Sequence, residues 1–267
     1  MPEGHTIHRA ARLQRRRFAG HRLRVDSPQG RFADGAGALD GRVLEGIDAR
    51  GKHLFYRWEG GETLHVHLGL FGRFRVWGTD PPEPTDGTRM RWRGEPGALH
   101  LSGPTACRLL DPDDERGILD RLGPDPLARR EGDEERIVAA LARRRAPIAQ
   151  TLLDQALVAG IGNVYRAELL FLAGIRPTRP SNRVSEREAA ELWSRSVDLL
   201  SIGERIGRIV TVDLDETDYS RPRDVPRRER LYVYRRAGRP CRRCGEEIRR
   251  EDLAGRSVFW CPRCQRS

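Results

Sequence analysis

The sequence predicts an α+β multidomain protein: an N-terminal helix with an antiparallel β-sandwich, then a helical domain, then a small C-terminal β-hairpin clamped by cysteines. Three observations predict it. Short alternating apolar runs broken by Gly and Pro fill roughly residues 21–110. The period then becomes helical from about 134 to 207. Four of the five cysteines fall at positions 241–264. With 267 residues the chain is long enough for a large core or for two to three small ones.

Each element has its own signature. In residues 3–18, Ile7, Ala10, Ala11, Gln14 and Phe18 trace one helical face, and Arg12, Arg15, Arg16 and Arg17 crowd the other side. The clearest strands are RVLEGIDARGKHLFYRW, GETLHVHLGL, GRFRVW, TRMRWRG and ACRLL. Their number and spacing argue a sandwich or barrel. LGPDPLARREGDEE is a proline- and charge-rich connection. ERIVAALARRR, APIAQTLLDQALVAG, NVYRAELLFLAG and SEREAAELWSRSVDLLSIGERI follow as helices, the last opened by a Ser185–Glu188 capping box. TDYSRPRDVPRRERLYVYRRAGRP is a basic, proline-broken linker into the cysteine-rich tail. The expected domains are therefore 1–120, 124–225 and 230–267.

Composition narrows the partner. Lys and Arg total 49 against 39 Asp and Glu, a formal net charge of +10. Such a balance points to a polyanion, most simply nucleic acid. Lys52 is the only lysine; every other basic chain is arginine. A compact ammonium can contact one phosphate or move a proton in a site too tight for a guanidinium. No apolar run approaches membrane-spanning length and no export pattern opens the chain, so a cytoplasmic protein without membrane contact is expected.

Four stretches carry chemistry. Cys241-x2-Cys244 and Cys261-x2-Cys264, sixteen residues apart, have the spacing of a four-thiolate zinc site. Such a site is structural and closed, and it supplies folding energy to a short tail. Between the pairs, EIRREDLAGRSVFW reads as two strands around a turn with Arg256 near the bend, outward to a ligand or to solvent. ALVAGIGNVYRAELLF reads as a helix ending near Gly160, a two-glycine turn, and a new helix from about Asn163. That is either a phosphate site at a helix start or packing alone. In HVHLGLFGRF, His65 and His67 share a strand face, with no third metal ligand expected nearby. Leu70 and Phe71 between Gly69 and Gly72 are two large apolar residues on a turn, the composition of a wedge for a base stack. Cys107 reads as a small buried hydrophobe.

The opening MPEG is the fourth. Removal of Met1 would leave Pro2 as a free secondary amine, a nucleophile toward a sugar C1′, next to the carboxyl of Glu3. The same two residues also suit an ordinary helix start.

Together these motifs resemble the formamidopyrimidine-DNA glycosylase / endonuclease VIII family. The match runs in order along essentially the whole chain: the MPEG start, GKHLF, HLGLFG, LGPDPL, LLDQALVAGIGNVYRAELLF and GRSVFWCPRCQ. The PEG start and the DQALVAGIGN segment lean toward the endonuclease VIII branch. The resemblance implies a β-sandwich domain, a helix–two-turns–helix domain and a zinc finger, acting as a monomer on damaged DNA with one structural zinc and no organic cofactor.

It implies that Pro2 attacks C1′, Glu3 protonates the sugar ring oxygen, and Lys52 sits near the phosphate and proton network. Asn163 and Arg256 would grip flanking phosphates, and Leu70 with Phe71 would fill the gap left by the extruded base. The implied activity is a bifunctional glycosylase and abasic-site lyase in base excision repair, favouring oxidised pyrimidines. Oxidised purines, Lys52 as the nucleophile, and a non-catalytic zinc-ribbon DNA binder are the rivals. Two positions depart from the family: His5-Thr6-Ile7 stands where many relatives carry a second acidic residue, and Gly69 where many carry a larger polar one.

Overall fold

The computed structural model describes residues 2–78 and 80–266; the expected removal of Met1 therefore lies outside the described residues. The chain divides into two compact units, one holding residues up to Glu3 with Ile7–Asp120, the other Gly4–Thr6 with Arg121–Ser267.

The first unit is built from α1 (Gly4–Phe18, past its first turn), β1 (Arg22–Asp26), α2 (Ala33–Leu39), β2 (Arg42–Arg50), β3 (His53–Trp58), β4 (Thr63–His67), β5 (Arg73–Trp77), β6 (Thr88–Gly94), β7 (Gly97–Ser102), β8 (Ala106–Leu110) and α3 (Pro112–Leu119). All ladders are antiparallel, in the order β5-β7-β6-β1-β2-β3-β4-β8. β1 makes the corner of the sandwich. Its Arg22 and Leu23 pair with β2, whereas Arg24, Val25 and Asp26 pair with β6. One strand thus serves both halves, and the inner faces close on a single core.

Trp92 is the centre of that core, edge-to-face with Phe18, Tyr56 and Trp58 at centroid distances of 5.9, 5.2 and 5.6 Å. α1 contributes Ile7, Ala11 and Phe18 to the core, as its sequence pattern predicts. Gln14 lies on the same buried face because the Tyr56 hydroxyl donates to its Oε1 at 2.8 Å. β1, β7, α2 and α3 go beyond the expected elements. β1 is a short strand whose partners lie far along the chain. β7, the hairpin partner of β6 across the Gly94–Gly97 turn, is buried at five of its six positions and so shows no alternation. α2 (ADGAGAL) is only seven residues long, too short to show a helical period.

The second unit contains α4 (Asp133–Ala142), α5 (Ile148–Thr151), α6 (Asn163–Leu172), α7 (Glu186–Ile206), β9 (Arg249–Leu253) and β10 (Arg256–Trp260). The capping box of α7 forms: Ser185 Oγ accepts from the Glu188 N–H, and Glu188 accepts from the Ser185 N–H. One expectation is corrected. The helix expected to end near Gly160 is a single turn, α5, followed by hydrogen-bonded turns from 152 to 160.

Polar side chains take the backbone away from the helix there. Asp154 accepts from the Ala156 N–H at 3.0 Å, and Gln155 bonds Gly160 N, Ile161 O and Leu153 O. The β9–β10 hairpin turns through Ala254 and Gly255, both at positive φ (49° and 72°). No helix among the described residues is long and apolar enough to cross a membrane.

Candidate active site and metal centre

The start of α1 is held by close packing within the second unit. The Gly4 N–H donates to Gly160 O at 2.8 Å. A Cβ on Gly4 would stand 2.9 Å from Gly160 Cα and 3.2 Å from Leu200 Cδ2, so only glycine fits. Gly160 itself has φ +96° and is clamped by Gln155 from both sides of the turn. Next to Gly4, the His5 ring packs edge-on against Tyr165 at 5.3 Å. Gly4 and the DQALVAGIG segment are therefore two halves of one contact within the second unit, and Gln155 is a positioning residue that the sequence pattern alone did not single out.

Glu3 immediately precedes Gly4 in the chain. Glu3 occupies the N-cap position of α1 with an extended backbone, yet its side chain does not cap the helix, and it is fully buried. An ordinary capping carboxylate sits at the surface and bonds the first-turn N–H groups. A buried carboxylate must be compensated by partners, and a helix start alone gives no reason for that arrangement. Pro2 beside it is half-buried.

Lys52 occupies the two-residue turn between β2 and β3, where Arg50 pairs with His53 and Gly51 adopts φ +57°. His67 faces this turn. Burial, then the Lys52 charge, holds its imidazole below the ordinary value. His53 stacks beside both strand histidines and its Nδ1 lies 2.9 Å from His65 Nε2. A third histidine is therefore close, contrary to expectation, because β3 pairs in register with β4. The three do not converge on an ion: among the described residues the one group of metal-ligating side chains is the four cysteines. Burial first, then His67 and Arg108, lowers His65 to about 4. Cys107 is buried as expected, and burial raises its thiol to about 12.

Leu70 and Phe71 sit at the tip of the β4–β5 turn, 53% and 82% exposed. Two large apolar side chains this exposed cost solvation unless they enter something. Gly69 is required by its φ of +63° and because a Cβ there would run into the Thr105 side chain.

In the second unit the structure brings Asn163 and the hairpin together. Asn163 opens α6, and its Nδ2 donates to Ser257 O at 3.2 Å, one residue from Arg256. Arg166, fully buried, ties the same points. Its guanidinium donates to Asn163 Oδ1, to Ser257 O at 2.9 Å and to Ala149 O at 3.2 Å. A cavity of about 410 Å³ lies over this junction, lined by Arg144, Gln150, Thr151, Asp154, Arg166 and Arg256.

Glu168, two residues along, is equally buried. It accepts from the N–H groups of Tyr232, Val233 and Tyr234 and from the Thr211 hydroxyl. Neither Arg166 nor Glu168 was anticipated; the signal for both was a charged residue inside the apolar helix VYRAELLFL.

The sulfur atoms of Cys241, Cys244, Cys261 and Cys264 lie within 4.8 Å of one another. Cys241 Sγ is 3.9 Å from Cys264 Sγ, and Cys244 Sγ 3.4 Å from Cys261 Sγ. Tetrahedral zinc at about 2.3 Å from each sulfur sets its ligands ~3.8 Å apart, whereas a disulfide needs about 2.05 Å. The residues fit zinc. The site is tied back to the helices by Gln265, which accepts from the Cys261 N–H and donates to Ile175 O, both at 2.9 Å.

Three family descriptions match this chain: the formamidopyrimidine-DNA glycosylase N-terminal domain over residues 1–111, the formamidopyrimidine-DNA glycosylase H2TH domain over 122–213, and the zinc finger found in FPG and IleRS over 238–266. The chain belongs to the formamidopyrimidine-DNA glycosylase family of DNA-repair enzymes. It is 49% identical to Endonuclease 8 1 of Mycobacterium tuberculosis over 99% of this chain and 100% of that protein. It is 35% identical to the formamidopyrimidine-DNA glycosylase of Thermus thermophilus over 99% of this chain and 98% of the other. Among solved structures it is similar to the Lactococcus lactis Fpg in complex with abasic-site DNA, with a TM-score of 0.84 and 26% identity over 99% of this chain and 100% of that one.

Proposed function

We propose that this chain excises oxidised pyrimidines from DNA and then cuts the strand at the resulting site, working from an N-terminal proline. The observation that carries the proposal is Glu3: a fully buried carboxyl, next to Pro2, that does not cap the helix it begins. The 49% identity to an Endonuclease 8 supports the pyrimidine branch over the purine one, since the identity to a formamidopyrimidine-DNA glycosylase is 35%.

The target nucleotide leaves the duplex at a cost of about a few kcal/mol. Leu70 and Phe71 enter the vacated stack and offset that cost, while Asn163 and Arg256 hold the phosphates on either side. Arg166 orients both through Asn163 Oδ1 and Ser257 O. With Met1 gone, the Pro2 nitrogen lone pair bonds to C1′ and the glycosidic bond breaks; its electron pair leaves with the base, which takes up the proton that the nitrogen sheds. Glu3 donates a proton to the ring oxygen, the C1′–O bond opens, and the nitrogen is left as an iminium to C1′.

The iminium acidifies the C2′ proton. Its removal expels the 3′ phosphate, and a second elimination expels the 5′ phosphate. Lys52 places a positive charge beside the phosphate and the proton-transfer groups. Zinc, when bound, clamps the hairpin that presents Arg256. The three functional parts are residues 1–120, 124–225 and 230–267, acting together as a monomer on DNA.

Borohydride reduction tests the assignment. Incubated with abasic duplex DNA and borohydride, the protein is expected to form a covalent adduct whose peptide map places the DNA on Pro2. An adduct on Lys52 would transfer the nucleophile to the lysine, and binding without any adduct would leave a non-catalytic zinc-ribbon protein.

A further inference from the structure

The outer face of the sandwich half formed by β5, β7 and β6 carries a cluster that the proposed reaction does not use. Strand alternation turns Phe74, Leu99, Leu101, Met90 and Trp92 inward to the core and leaves Arg75, Trp77, His100, Arg91 and Arg93 on the opposite face. Register aligns them in two rows: Arg75–His100–Arg91, and Trp77–Ala98–Arg93.

Trp77 lies over His100 with ring centroids 4.3 Å apart. Its backbone is fixed by Arg17, which donates to Trp77 O at 2.7 Å and Pro96 O at 2.8 Å. His100 is 96% buried beneath the indole, and its Nε2 has no hydrogen-bond partner. Arg91 is engaged by Asp26 at 2.7 Å. Arg75 and Arg93 are exposed and pair with no carboxylate among the described residues.

We propose that this face is a second nucleic-acid surface that takes single-stranded DNA, with a base stacked on Trp77 and phosphates on Arg75 and Arg93. The charge pattern selects a polyanion. The aromatic platform selects bases over carboxylates, because an indole between cations offers stacking that an acidic peptide does not use. Alternate residues along a strand stand about 6.8 Å apart, so Arg75 and Trp77 present a cation and a ring at the spacing of neighbouring contacts on an extended strand. β5 starts just after the exposed Leu70–Phe71 turn, which places this surface next in sequence to the wedge. A duplex keeps its bases stacked inside and cannot use the indole.

The other four tryptophans, Trp58, Trp92, Trp193 and Trp260, are buried, so quenching of intrinsic fluorescence by an oligonucleotide reports on Trp77. Titration of the full chain with single-stranded oligothymidylate is expected to quench the emission. Trp77→Phe keeps the affinity and loses the quench; Trp77→Ala loses about ten-fold in affinity, the value of one stacked base. Arg75→Ala and Arg93→Ala each reduce the slope of log affinity against log salt by about 0.7.

Trp77→Ala forms the borohydride adduct with abasic duplex DNA at the wild-type level, because Trp77 lies outside the proposed reaction. Failure of trapping in the wild type would remove the glycosylase mechanism and leave the quench standing. Unchanged oligothymidylate affinity in Trp77→Ala overturns the proposal. So does quenching by polyglutamate at equal affinity, which would make this a surface for acidic peptides.

Discussion

Replacing Glu168 by Gln should destabilise the second unit far more than the loss of one oxygen suggests. Glu168 Oε1 accepts from the Val233 and Tyr234 N–H groups at 2.9 and 2.8 Å; Oε2 accepts from the Tyr232 N–H at 2.7 Å and from the Thr211 hydroxyl. All four partners donate. A glutamine must put its NH2 at one of the two positions. At Oε1 it faces two backbone donors; at Oε2 it faces one, and the Thr211 hydroxyl can turn to accept. The better orientation still leaves the Tyr232 N–H buried and unpaired, at about 1–3 kcal/mol. The two bonds that remain lose their charge assistance, roughly half their strength.

The expected loss is ~3–5 kcal/mol, and Glu168→Ala, which orphans three N–H groups, should lose at least as much. Denaturant unfolding gives the total, and amide hydrogen exchange locates it: Tyr232, Val233 and Tyr234 should lose protection first. A glutamine variant within ~1 kcal/mol of wild type, with these amides still protected, would refute the donor-counting argument.

Glu3→Gln should lose excision of a damaged base and keep part of the strand cleavage at a pre-made abasic site, measured by single-turnover gels; equal excision by the variant would remove Glu3 from the reaction. His65 falls from an ordinary 6.5 to about 4 because of burial. The unfolded chain therefore binds this proton first: the contribution is fully present above pH 6.5 and is lost as pH falls toward 4, by up to ~3 kcal/mol. His65→Gln should flatten unfolding free energy against pH in that window, and an unchanged profile would mean the imidazole is not desolvated. Arg256→Ala should weaken duplex binding and reduce its salt slope by about 0.9, one phosphate contact; an unchanged slope would make it a solvated surface charge. Metal analysis should find one zinc per chain, and its removal by a strong chelator should abolish protection of the β9–β10 amides, as expected where metal binding supplies the folding energy.

Local signals carried much of the fold. The amphipathic face of α1, the Ser185 capping box and the cysteine spacing each depend on residues close in sequence, and each forms as expected. What escaped has two causes, distant strand partners and side chains that compete locally for the backbone. β1 is a strand because two halves of a sandwich need a shared corner, which five residues cannot announce. The helix expected before Gly160 has good helical spacing, but Asp154 and Gln155 spend their side chains on the local backbone.

At the candidate site the motif residues were legible because their types are unusual where they stand: a lone lysine, two exposed apolar residues between glycines, a proline behind the first methionine. Their supports were not. Gln155 matters through Gly160 and Gly4, and Arg166 through Asn163 and Ser257, contacts that exist only after folding.

The account rests on an imino nitrogen at the front of the protein, and the intact mass of catalytically active material measures it directly. A mass corresponding to a chain beginning at Pro2, rising by one DNA fragment per molecule after borohydride reduction, is the predicted result. Full activity in material that still carries Met1 would contradict it, because an acylated proline nitrogen has no lone pair to give to C1′.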